Sequence, residues 1–220
     1  MAAPMFIEEF VPTQNLGAGT NDRLGVAVHH TAGSLAGDLA TLTRPGQAAN
    51  GGSVSAHALI ARNGDRYILA ADDAVTWHAG HSRFRGRDYA NGLLLGVEFE
   101  GNTLDAPLTD AQVASFVEWF VPRAKLYGWQ SSDIVGHAAL RAAWNAAYPD
   151  RSAPATLCMS TQAPGRLRAA VRAALGPADV VAGLVPAPLR RQLGASQEVL
   201  ALGLAAAVAV PLALLTRSST

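Results

Sequence analysis

NGLLLGVEFEG, residues 91–101, opens on apolar residues with almost no break before its two glutamates. A run that apolar suits a strand covered on both faces, the setting of a parallel or mixed sheet between helix layers. On the period of two, Glu98 and Glu100 share one face. GVAVHHTAG (residues 25–33) reads the same way, a short buried strand ending at His29 before a small-residue turn. SAHALIARNGDRYILA (55–70) is a hairpin pattern, with Asn63-Gly64 suited to the positive φ angles of a tight turn and His57 on the first strand.

TDAQVASFVEWFVPRAKLYG (109–128) has Thr109 followed by Gln112, a capping-box spacing, and it stops at Gly128. It predicts an amphipathic helix, with Pro122 as a kink or break. SDIVGH (132–137) predicts a short strand ending at His137, and APGRLRAAVRAALG (163–176) a basic helix ending at Gly176. Strands alternating with helices make an α/β domain over residues 24–176. Residues 1–23 read as an irregular lead-in and 177–198 as a linker rich in Pro and Ala. The tail 199–216 carries VLALGLAAAVAVPLALL, a charge-free run followed by Arg217. At about 1.5 Å per residue that run covers roughly 25 Å, a marginal membrane span or an Ala-rich helix packed on the domain.

The 220 residues suffice for one ordinary core, and 17 basic against 17 acidic residues leave no net charge. That balance argues against a nucleic-acid partner. Cys158 is the single cysteine, which rules out an intrachain disulfide and leaves the thiol inert, reactive or a ligand. The opening MAAPMFIEEFVPTQN lacks the basic start and apolar core of a secretory signal, so synthesis and folding in the cytosol are expected.

The six histidines lie between residues 29 and 137, and His29 and His137 both end predicted strands. If those strands are neighbours, two imidazoles meet at one rim and Cys158 can join them. Two neutral nitrogens and a thiolate leave the fourth position of a tetrahedral Zn²⁺ open, the pattern of a catalytic site. Such an ion lowers the pKa of bound water from about 15.7 toward roughly 7. A serine hydrolase would want a GxSxG elbow, which is missing. A Cys158–His137 hydrolase is conceivable but leaves His29 without a role.

VAVHHTAG, VSAHALIARNGD, TWHAGHS, LLLGVEFEG and DIVGH follow one another in the order found in the zinc-dependent N-acetylmuramoyl-L-alanine amidases, and from about residue 24 to 175 the chain resembles that family. The resemblance implies a single mixed sheet flanked by helices, as in peptidoglycan recognition proteins, with the apolar C-terminal helix as an addition. It implies His29, His137 and Cys158 as zinc ligands, with Thr156 two residues before the cysteine as in cysteine-type members. YPDRSAP also resembles the loop of aspartate-type members without its lysine and ligand aspartate, so Asp150 is a rival third ligand.

By the same resemblance Glu98 is the proton shuttle, because Ala56 stands where other branches carry a tyrosine. Its other reading is a carboxylate satisfied at a strand end. Thr156 becomes a donor to the tetrahedral oxyanion. Trp77 and His78 line a groove for sugar and stem peptide, with Trp77 as a core anchor the alternative; His57 sits beside the substrate or supports a ligand, with a plain hairpin histidine the favoured alternative. His30 points away from His29, and His81 is surface. The expected enzyme is a monomeric peptidoglycan amidase, a phage-type lytic enzyme reaching the wall through a holin or its own tail. The alternatives are a cytosolic amidase recycling muropeptides and a peptidoglycan-binding module that does not cut.

Overall fold

A computed structural model of the chain describes residues 5–49 and 51–182. In chain order its elements are β1 (Glu8–Phe10), β2 (Leu16–Gly17), β3 (Val26–His30), α1 (Leu35–Thr43), β4 (Ala58–Ile60), β5 (Arg66–Ile68) and β6 (Val75–Thr76). There follow β7 (Arg83–Phe84), β8 (Arg87–Asp88), β9 (Leu95–Phe99), α2 (Asp110–Tyr127), β10 (Ile134–Gly136), α3 (His137–Ala147) and α4 (Ala163–Ala182). Six strands form the main sheet in the order β1-β5-β4-β9-β3-β10. Only the β4–β5 hairpin is antiparallel; the other neighbours run parallel. The expected mixed sheet between helices is the fold observed.

The two apolar runs occupy its middle because both faces there are covered. Val26, Val28, Leu95, Val97 and Phe99 point to one face, against Phe116, Trp119 and Phe120 of α2 and Leu167 and Val171 of α4. Ala27 points to the other, under Leu94, which precedes β9, and Leu140 of α3. The capping box forms as read: Gln112 N–H donates to Thr109 Oγ1 at 3.0 Å and Thr109 N–H to Gln112 Oε1 at 3.0 Å. Gly128 ends the helix in the left-handed region at φ 73°.

Several expectations are corrected. Pro122 lies inside α2 without ending it, since the buried face of Phe116, Trp119, Phe120 and Ala124 holds both halves to one core and offsets a local cost of about 3 kcal/mol. The hairpin turn has three loop residues: Gly64 N–H bonds Ala61 O at 2.9 Å, and Gly64, not Asn63, takes the positive φ. His57 precedes β4 by one residue, and β3 extends to His30. β10 stops at Gly136, and His137 is the first residue of α3, a helix over residues read as loop; its apolar stripe is only Leu140 and Trp144. Residues 8–10 of the lead-in pair with β5. α4 passes a non-helical Gly176 (φ 72°, ψ 173°) and continues to Ala182. The remaining linker and the apolar tail 199–216 lie outside the described residues, among which no helix is long and apolar enough to cross a membrane.

Candidate metal centre

β9, β3 and β10 lie side by side and parallel, so their carboxyl ends share one edge, where open α/β sheets place their sites. Register pairs His29 with Glu98 across β3 and β9. Alternation turns His29 and Glu98 to the face away from Val28 and Phe99. His137 enters from the start of α3 immediately after β10, and Cys158 from the loop before α4. Candidate ligand atoms of His29, His137 and Cys158 all lie within 4.8 Å of one another. The His29 and His137 ring centroids are 4.7 Å apart, and Cys158 Sγ is 3.9 Å from His29 Nδ1. The His30 backbone N–H donates to the same sulfur at 3.3 Å.

Every member of the cluster is driven toward its neutral form. Burial holds His29 well below the usual imidazole range, with His137, His78 and His30 adding repulsion. Burial and the charge of Arg141 bring His137 down to about 4, against the opposing pull of the Ala79 backbone carbonyl. Burial, then Glu98, pushes the Cys158 thiol up to about 12. Glu98 itself rises to about 8 through burial and the nearby Asp38 carboxylate. The result is a pocket of desolvated lone pairs.

The residues fit a divalent cation. The buried His137 Nε2 finds no hydrogen-bond partner among the described residues, an arrangement that costs free energy unless a ligand meets it. Two imidazoles and a sulfur are a donor set suited to zinc, and a nearby dication reverses the pressure that keeps the thiol protonated. Asp150 lies exposed on the short turn after α3 and outside this cluster, which corrects its place as a rival ligand; the turn carries it to solvent.

Around the cluster, Glu98 is half-buried with an enclosed Oε2, and Asp38 of α1 is buried with an enclosed Oδ2; neither oxygen has a partner among the described residues. Asp38 escaped the sequence reading because a lone Asp in a short helix carries no signal. Thr156 Oγ1 accepts the Cys158 N–H at 3.1 Å. Trp77 is 44 % exposed, so its ring is at the surface and not a core anchor, while its backbone N–H donates to Ser55 Oγ at 2.8 Å. His30 turns away from His29 to Thr103, as expected, and His81 is exposed.

The groove roles of His78 and His57 are corrected, because both are buried. His78 Nδ1 is 3.1 Å from His29 Nε2 and its Nε2 is 3.2 Å from the Leu94 carbonyl, so it backs a candidate ligand. It fits there because residue 96 is glycine: a Cβ on Gly96 would sit 2.6 Å from the His78 ring. His57 accepts the Gly96 N–H at Nδ1 (3.0 Å) and bonds the Ala74 carbonyl through Nε2 (3.0 Å), tying strands together without reaching a ligand.

A family model described as N-acetylmuramoyl-L-alanine amidase matches residues 20–156. The chain is 45% identical over 87 residues to the 1,6-anhydro-N-acetylmuramyl-L-alanine amidase AmpD of Haemophilus influenzae, covering 38% of this chain and 46% of the relative. With N-acetylmuramoyl-L-alanine amidase AmiD of Escherichia coli it shares 27% over 128 residues, 51% of this chain and 44% of AmiD. The chain thus spans less than half the length of these curated relatives. The crystal structure of a selenomethionyl AmpD derivative superposes with a TM-score of 0.56 at 24% identity, covering 75% of this chain and 94% of that one, a likeness of fold.

Proposed function

Because the chain belongs to the N-acetylmuramoyl-L-alanine amidase family, we propose that it cleaves the amide between the lactyl group of muramic acid and L-alanine, with soluble anhydromuramyl peptides as substrate. The observation that carries this reading is the convergence of His29, His137 and Cys158 within 4.8 Å. These three residues would hold a zinc ion, which when bound supplies Lewis acidity toward water and the amide carbonyl.

The chain's own groups supply the proton traffic. The ionised form of Glu98, whose pKa burial and Asp38 raise to about 8, takes a proton from the attacking water at one carboxylate oxygen and returns it to the leaving nitrogen. The Thr156 oxygen is occupied as an acceptor by the Cys158 N–H, which leaves its hydroxyl hydrogen to donate to the carbonyl oxygen as negative charge builds there. The exposed Trp77 ring offers a flat apolar face to the sugar.

The sequence favoured a phage-type lytic enzyme on the strength of its tail, which lies outside the described residues. The relative at 45% identity supports the recycling alternative better, since its name specifies a 1,6-anhydro sugar. A module that binds without cutting would not need Cys158 beside two bare imidazoles. The deciding experiment incubates the full chain with anhydromuramyl-L-Ala-γ-D-Glu peptides and with intact sacculi, read by mass spectrometry. Released peptide from the soluble substrate, lost on chelation and restored by zinc, is the expected result. Cleavage of sacculi alone returns the lytic reading, and cleavage of neither overturns the amidase assignment.

A further inference from the structure

We propose that His78 and Asn91 are positioning residues that dictate which nitrogen the candidate metal ligand His29 presents, an inference that rests on the metal reading of the cluster. A carbonyl oxygen can only accept, so His78 Nε2, 3.2 Å from Leu94 O, carries a hydrogen. A neutral imidazole has one N–H, so His78 Nδ1 is an acceptor. His29 Nε2, 3.1 Å away, must then be the donor. That leaves Nδ1 as the bare nitrogen of His29, the atom 3.9 Å from Cys158 Sγ.

The backbone that carries the His78 ring hangs from a single atom: Asn91 Oδ1 accepts the His78 backbone N–H at 3.0 Å and the Ala79 backbone N–H at 2.8 Å. Asn21 Nδ2 ties the assembly further, donating to Asn91 O and Leu94 O, each at 2.9 Å. Metal-binding imidazoles whose second nitrogen is fixed in this manner lose rotational and tautomeric freedom before the ion arrives.

The test needs no substrate. Long-range ¹H–¹⁵N correlation spectra of the zinc-free full chain should show Nε2–H on His29 and His78. His29 with Nδ1–H overturns the proposal whatever the variants do. His78→Phe removes the acceptor and should weaken zinc about 10- to 100-fold in chelator competition and alter the visible spectrum of the Co²⁺ form. His78→Asn places an amide oxygen where Nδ1 stood and should retain most of the affinity. Asn91→Ala, which frees both backbone N–H groups and so loosens the His78 ring, should mix the tautomers of His29. Zinc affinity of His78→Phe equal to that of the parent overturns the role. A chain that meets these expectations but cleaves no muropeptide overturns the proposed function and leaves this inference standing.

Discussion

The two faces of one sheet do opposite work with the same strands. On β3, Val26 and Val28 enter one hydrocarbon layer, while on the other face Ala27 meets a smaller apolar cluster and His29 a polar one; on β9, Leu95, Val97 and Phe99 oppose Gly96 and Glu98. The α2 and α4 side is packed with Phe116, Trp119, Phe120 and Leu167. The α3 side buries His29, His57 and His78 and half-buries His137 and Glu98, and Gly96 leaves the His78 ring its space. A period of two lets a five-residue strand place stability on one side and chemistry on the other. It follows that substitutions on each face should fail in different ways.

The sharpest separation comes from Phe116→Ala. Its ring is fully buried between Phe99, Trp119 and Phe120, so stability should fall by about 3–5 kcal/mol in denaturant melts. Zinc stoichiometry of the protein that remains folded should not change. A loss below 1 kcal/mol would break the division of labour. Glu98→Gln tests the other face: turnover of a muropeptide should drop about 10²- to 10⁴-fold, with zinc affinity and melting nearly unaltered. Retained turnover would move the proton shuttle elsewhere.

Acid should attack the polar face first. His57 titrates near 4 in the folded protein against 6.5 in the unfolded chain, chiefly through burial, with the Ala74 carbonyl, Asp72 and Asp73 opposing and Arg123 assisting. Because the folded value is the lower one, the unfolded chain takes up the proton first. Stability is complete above about pH 6.5 and declines as pH falls toward 4, where this group alone has cost about 3 kcal/mol. Unfolding free energies measured at pH 7.5, 6 and 5 should trace that fall, and a flat profile would contradict it. The smallest effect belongs to Gly96→Ala, whose Cβ would press on the His78 ring. About 1–3 kcal/mol of overpacking is expected, together with weaker zinc binding; a variant indistinguishable from the parent in both would show that the space is not needed.

Much of this was legible in the chain. The apolar runs at 26–30 and 95–99, the Thr109–Gln112 capping box and the Gly128 stop are local patterns, and each lies where its period or spacing put it. His29, His137 and Cys158 were readable as a donor set because two of them adjoin strands. α3 was missed because alanines dilute its apolar stripe to Leu140 and Trp144, and α1 because its nine residues follow a turn of small ones. The roles of His57 and His78 were misplaced for a different reason. Their partners are 17 to 39 residues away for His57, and 16 and 49 residues away for His78, beyond any window of periodicity.

What the amino-acid order settled alone is therefore the alternation of small, apolar and polar side chains that makes a two-faced strand, since that depends only on neighbours along the backbone. What required the folded chain is which nitrogen of His29 faces Cys158, why Cys158 and not Asp150 stands beside the two imidazoles, and why His78 lies behind His29. Those outcomes turn on lone pairs meeting N–H groups contributed by distant segments, and only the tertiary arrangement brings such segments within bonding distance.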